Sequence, residues 1–197
     1  MERYKVYERF NPARNFNTQF WPYGDLGFQM QNPHWIINRD FFPNNKERYV
    51  LSAGLKYNIM KDLGIAARTK LDNNHTVAEK QFYASTAGLF ASPAGYYSKN
   101  HEITRQMYTD VIASYNKQIT QDFGISVNAG GSIMDTRYSL EGYGGNLLTV
   151  PNLFAFQNIN QTQATPVQNR FREQTQSVFG SAQASYRNML FLDFTAR

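Results

Sequence analysis

The side chains with most chemical potential in this 197-residue chain are three histidines, a scatter of acids and an excess of aromatics. His34, His75 and His101 lie far apart in sequence, and a zinc centre needs clustered ligands, so they read as incidental surface residues. Ser132, Asp135 and His101 supply the residue types of a nucleophilic triad, but no nucleophile elbow or oxyanion hole accompanies them. Asp62 and Asp122 could be paired acids; each instead falls in a short turn, where aspartate favours the local geometry. Gly142-Tyr143-Gly144-Gly145 lacks the strand, helix and lysine of a phosphate loop and reads as a flexible turn. The expectation is a protein that is not an enzyme, with no catalytic residue, no cofactor and no metal site.

The aromatics are the better candidates. Trp21, Tyr23, Trp35, Phe41, Phe42, Tyr96, Tyr97 and Tyr143 all fall outside the regular segments described next, and solvated loops rarely hold so many. Aromatic faces stack on sugars and peptide side chains, and they enrich protein interfaces. Three roles stay open for them: packing the loops together, meeting a partner protein, or touching a ligand. Asn32-Pro33-His34-Trp35 reads as a structural turn that anchors its loop.

The elements that must position these residues announce themselves by alternation. Tyr49 to Ile59 and Leu63 to Leu71 flank a turn at residues 60–62; Met107 to Ile119 and Phe123 to Ile133 flank residues 120–122; Gln176 to Tyr186 and Leu190 to Ala196 flank residues 187–189. Side chains of a strand alternate between two faces. Tyr49, Leu51, Ala53, Leu55, Tyr57 and Ile59 therefore share one face, and Ser52, Gly54, Lys56 and Asn58 the other. The same split sets Phe123, Ile125, Val127, Ala129 and Ile133 against Ser126, Asn128 and Ser132, and Leu192, Phe194 and Ala196 against Asp193 and Thr195. Runs of about 9–11 residues span a bilayer's hydrocarbon when tilted, and strand pairing then satisfies every backbone group. Tyr57, Tyr115, Phe123 and Tyr186 cluster at the short-turn ends, where a barrel places its aromatic girdle. The expected class is all-β: an antiparallel transmembrane β-barrel segment of about six strands.

Composition narrows the function. A mean hydropathy of −0.56 is too polar for helical spans, and no stretch of 18 apolar residues occurs. The chain has no cysteine, which excludes disulfides and thiolate metal sites. Its net charge of +5 is spread over residues such as Arg3, Lys5, Arg9, Arg14, Lys46 and Lys56 without forming a stripe, so nucleic acid is not an expected partner.

Residues 1–48, Asp72 to Gln106 and Asp135 to Gln174 read as long connections on the side away from the short turns. Outer-membrane barrels have short periplasmic turns and longer extracellular loops, so Ser98 and Asn158 are expected to be exposed outside and Lys61 and Asp122 inside. Alternation alone also fits a soluble or surface-attached β-sheet binding module, such as an adhesin or glycan-binding domain. That alternative requires a second layer over each apolar face.

Several collinear words resemble one family. Asn32-Pro-His-Trp-Ile-Ile-Asn38, Asn45-Lys-Glu-Arg48, Leu55-Lys-Tyr-Asn58, Val150-Pro-Asn-Leu-Phe154, Gln176-Ser-Val-Phe-Gly-Ser-Ala182 and Tyr186-Arg-Asn-Met-Leu190, with the closing Phe191 to Arg197, look like the mid-barrel region of SusC/RagA-type TonB-linked outer-membrane transporters. The resemblance implies a plugged barrel of about 22 strands in a Gram-negative outer membrane. It implies import of oligosaccharides or peptides with a SusD-like surface lipoprotein, driven by the TonB complex through the plug. No plug, TonB-contacting segment or signal peptide is recognised in these residues, so the expectation is a fragment of a longer transporter, its domain the partial barrel 1–197.

Overall fold

The computed structural model describes residues 5–21, 30–187 and 189–197. Its strands are β1 (Glu8–Asn11), β2 (Phe16–Gln19), β3 (Asp40–Phe41), β4 (Asn44–Met60), β5 (Leu63–Tyr83), β6 (Gly95–Gln118), β7 (Phe123–Asn146), β8 (Thr165–Tyr186) and β9 (Leu190–Ala196), with one α-helix, α1 (Pro33–Arg39). β1 and β2 form a separate hairpin. The main sheet runs β3-β5-β6-β7-β8-β9, with β4 also on β5. β3 and β4 are one ladder broken at Phe42 and Pro43, because proline has no N–H to donate. The sheet is thus six strands wide and antiparallel, an all-β fold. No helix among the described residues is long and apolar enough to cross a membrane.

The strands outrun the alternation that signals them. β5 continues through residues 72–83, β6 begins at Gly95, β7 runs to Asn146 and β8 begins at Thr165. The long connections expected over 72–106 and 135–174 shrink to residues 84–94 and 147–164. Backbone pairing carries on where the side chains of both faces turn polar or aromatic, and there the two-residue hydrophobic rhythm is silent.

The chain divides into two compact units. One comprises Met1–Glu47, His75–Glu102 and Ser139–Asn169; the other comprises Arg48–Asn74, Ile103–Tyr138 and Arg170–Arg197. The first has a core of its own. Asn32 caps α1, accepting the His34 N–H at 2.9 Å, and Pro33 fills the first helical position, where no N–H is needed. Trp35 of this short helix is 1% exposed. Arg39, in the last turn, pairs with Glu8 at 2.7 Å and ties α1 to β1. Residues 147–164 fold onto Tyr97 through Leu147 and Ile159, which form an isolated bridge.

The second unit holds the short turns and the faces that alternation predicts. β8 and β9 pair Ala182 with Phe194 and Ala184 with Leu192 on one face, and Ser181 with Thr195 and Gln183 with Asp193 on the other. On the polar face Asn116 joins Ser126 at 2.6 Å, Asn128 joins Ser181 at 3.2 Å, and Arg68 forks onto Asp110 at 2.9 and 2.7 Å. Among the described residues nothing covers the apolar face: Leu55 and Val178 are each 81% exposed, Leu192 73% and Phe194 69%. Thr69 and Thr109, the hydroxyls among these apolar rows, hydrogen-bond each other at 3.1 Å.

Candidate functional site: sorted aromatics and a polar face

In the first unit the strand pleat divides the aromatics into two groups. Phe42, Phe82, Tyr96 and Phe90 form one, with Phe82 centroids 5.5 Å from Phe42, 5.7 Å from Tyr96 and 6.4 Å from Phe90. Phe41, Tyr83, Phe154, Tyr97, Phe156 and Tyr143 form the other, linked by edge and tilted contacts of 5.0–6.0 Å. Phe41 and Phe42, Phe82 and Tyr83, and Tyr96 and Tyr97 are neighbours in sequence, and the pleat sends one of each pair to each side.

The second group contains the buried member, Tyr97, but each group has exposed rings: Phe41 and Phe156 in the second, Phe42 and Phe90 in the first, where Phe82 and Tyr96 are half-buried. Tyr97 lies in the core with Leu147 and Ile159, and the Tyr143 hydroxyl donates to the Gln161 side chain. The eight candidates therefore fall out as follows. Trp35 is sealed, its indole N–H donating to the Thr86 hydroxyl at 3.0 Å, which donates in turn to Asp40 at 2.8 Å. Tyr97, Tyr143 and Phe41 pack in the second group; Phe42 and Tyr96 belong to the first. Trp21 is half-buried, and Tyr23 lies outside the described residues.

The polar network of the first unit has unequal electrostatics. Burial pushes the Asp40 carboxyl above its ordinary range, and hydrogen bonds from Thr86 and Gln31 only partly pull it back. Burial would raise Glu79 too, yet hydrogen bonds from Lys99 and Gln81 and the Lys99 charge at 2.9 Å win, holding it below the usual carboxylate range. Asn158 holds the 147–164 segment: its amide accepts from the Thr149 and Val150 N–H groups and donates to the Val150 and Leu153 carbonyls. Ser98 and Asn158, expected to be exposed, are each 7% exposed.

Other sequence-level candidates are repositioned. His75 and His101 are neighbours on β5 and β6, with ring nitrogens 3.4 Å apart and rings stacked at 20°. Among the described residues no group of three metal-ligating side chains exists. Ser132 and Asp135, three positions apart, point to opposite faces of β7 and cannot share a proton. Gly142-Tyr143-Gly144-Gly145 is strand, not turn. Its glycines admit close neighbours: a Cβ on Gly145 would stand 2.8 Å from Ile159 Cγ2, and those on Gly142 and Gly144 would strike Asn100 and Ser98.

In the second unit the polar face carries a groove of about 700 Å³ whose lining includes Tyr108, Ser114, Asn128, Ser132, Phe179 and Ser181. Hydroxyls, an amide, two rings and the Arg197 guanidinium suit a hydrogen-bonding ligand; they offer no nucleophile with a base beside it.

No protein-family model matches the chain, and no curated protein matches it. Solved structures do. The RagAB peptide importer in its "open-open" state superposes with a TM-score of 0.75 over 84% of this chain at 12% identity. The RagAB peptide transporter and the importer in its "closed-closed" state each give 0.69 over 84% at 12% identity. The chain spans 18% of the length of each of those chains. The likeness establishes the fold, an antiparallel all-β sheet of the kind present in RagAB chains.

Proposed function

We propose that this sheet is a sector of the wall of a TonB-dependent nutrient importer of the SusC/RagA type in a Gram-negative outer membrane. The observation that carries the reading is the uncovered apolar face of the second unit, where Leu51, Leu55, Val178, Leu192 and Phe194 stand exposed. In water such rows favour association, at about 25 cal/mol for each Å² left wet. In hydrocarbon they cost nothing. The rows run Tyr49–Ile59, Leu63–Leu71, Tyr115–Met107, Phe123–Ile133 and Tyr186–Val178, the length of tilted spanning strands. Their first members at the turn end include Tyr115, Phe123 and Tyr186; at the other end they give way to Glu47, Asn73, Arg105, Asp135 and Gln176. Among the described residues β4 and β9 each pair on one side, so a closed wall needs further strands, in this reading a barrel of about 22 around a plug.

The polar face then lines a wet lumen, and the likeness to a peptide importer supports transport as its purpose. The cargo is a peptide or an oligosaccharide. Phe42 and Tyr96 are the aromatics offered to it, while Tyr97, Tyr143, Phe41 and Trp35 hold the external segments in shape. A SusD-like lipoprotein meets those segments from outside, and the TonB complex acts on the plug; catalysis has no part in this reading. The soluble or surface-attached binding module needs a second layer over the apolar rows, and their exposure argues against it.

Impermeant thiol labelling of intact cells tests the topology. Cysteines at Lys61 and Asp122 should be protected, and cysteines at Thr149 and Gln163, both exposed, should label. The reverse pattern overturns the orientation, and uniform labelling overturns the membrane reading itself.

A further inference from the structure

On the apolar face three of the rows, those of β6, β7 and β8, lead on to arginine. Beyond Met107 the next residue on that face of β6 is Arg105; beyond Ile133 on β7 come Asp135 and Arg137; β8 carries Arg172 beyond Val178, Gln176 and Gln174. Asp135 sits between two guanidinium groups, bound through both carboxylate oxygens by Arg172 and 3.5 Å from Arg137 Nε. Arg137 and Arg172 remain 61% and 56% exposed. Asn116 bonds Ser126 and Gln106 bonds Thr136 across β6 and β7, and that register sets Arg105 opposite Arg137 on the other face. Arg105 is exposed and has no acidic partner among the described residues. Like charges opposed across an antiparallel pair repel. Three guanidinium groups against one carboxylate leave a surplus of positive charge where the rows of β6, β7 and β8 stop.

Beside this patch, on the same face, lies a groove of about 360 Å³. It opens over Gly131, which has no side chain to fill it, between Thr109, Val111, Ile133 and Val178. Charge and groove together define an amphipathic ligand: an anion for the arginines and a hydrocarbon chain for the trough.

We infer that Arg105, Arg137 and Arg172, with the trough over Gly131, bind a phosphorylated outer-leaflet glycolipid, its phosphate between the guanidinium groups and one acyl chain along the groove. The inference rests on the membrane reading above. Guanidinium presents paired donors that match phosphate oxygens, and a phosphate between Arg105 and Arg137 converts their repulsion into attraction. Free inorganic phosphate would use the arginines and ignore the trough.

The test uses the protein purified from outer membranes, with native mass spectrometry counting retained lipid after exchange into micelles containing lipid A, either bis-phosphorylated or dephosphorylated. Wild type should retain the phosphorylated form preferentially. R105Q/R137Q, which leaves the Arg172–Asp135 pair intact, should lose that preference roughly tenfold. G131L, which fills the trough and keeps every arginine, should also lose retention. Equal retention of the two lipids, or an undiminished double variant, overturns the inference. Displacement by millimolar inorganic phosphate assigns the patch to free anion and overturns the glycolipid. Co-flotation with plain phosphatidylcholine vesicles is read separately: a protein that floats without discriminating lipid A sinks this inference alone, and one that does not float sinks the membrane reading with it.

Discussion

Among the described residues the first unit builds a buried apolar core and the second does not. In the first, Trp35, Leu147 and Ile159 are buried, and polar groups such as Asn32, Thr86 and Asn158 are buried beside them with hydrogen-bond partners. In the second, Leu55, Val178, Leu192 and Phe194 face outward uncovered while the polar side chains of the other face bond to one another. The first unit closes a core of its own, although Ile37, Phe42, Leu89 and Leu148 at its surface stay exposed. The second is complete only in a solvent that wants apolar surface. Substitutions in the core of the first should therefore act alike in any medium, whereas those on the apolar face of the second should depend on lipid.

The largest effect is expected at Trp35. Trp35→Ala removes a buried ring and its hydrogen bond to Thr86, a change that costs about 3–5 kcal/mol. Hydrogen exchange should report it as lost protection in α1 and residues 84–94, in detergent and in vesicles equally. Trp35→Phe keeps most of the volume, and the Thr86 hydroxyl keeps Asp40, so it should cost about 1 kcal/mol. Protection that depends on the medium would erase the distinction between the units.

Next comes Val127→Arg, in the middle of an apolar row. It should cost about 2–4 kcal/mol in lipid because a charge near the bilayer midplane is poorly solvated. Asn128→Arg, one residue along, points to the polar face and should be milder. Denaturant titrations in vesicles compare the pair, and equal losses would refute the assignment of the faces.

Asn158→Ala breaks two accepted and two donated hydrogen bonds and should loosen residues 147–164 by roughly 2–3 kcal/mol. Limited proteolysis within this segment reads it, and an unchanged cleavage rate would mean the segment is held by its aromatics instead.

The turn-side half of the fold was legible because two signals coincided there. Alternation of a fixed parity stops at residues such as Ile59 and Tyr186, and polar turn residues follow; the strands end at Met60, Gln118 and Tyr186 and resume at Leu63, Phe123 and Leu190. Farther along each strand the parity signal vanishes while pairing continues. His75 and His101 consequently looked remote, although 26 residues of antiparallel chain bring them together. The helix was legible too: Asn32-Pro33 is a cap followed by a first-turn proline, and reading it as a mere turn overlooked that signature. The aromatics could not be sorted by type alone. Tyr96 and Tyr97 have the same chemistry, and only the pleat decides which one is buried.

The smallest effect sharpens the comparison within the first unit, where Asp40 and Glu79 should bend stability in opposite directions with pH. Both lie outside the spanning rows. Asp40 has a raised carboxyl in the folded state, so its contribution is full below the unfolded value of about 4 and is lost as pH rises through its own higher value. Glu79 is lowered, so its contribution is present above the unfolded value and is lost as pH falls through its own lower one. The Lys99–Glu79 pair is partly exposed, which limits it to about 1 kcal/mol or less. Thermal melts followed by the near-ultraviolet signal of buried Trp35 should show Asp40→Asn gaining on wild type as pH rises above about 4. Glu79→Gln should trail wild type at neutral pH and converge with it in acid. Parallel curves for the two variants would mean that neither carboxyl feels the burial and pairing that the geometry gives it.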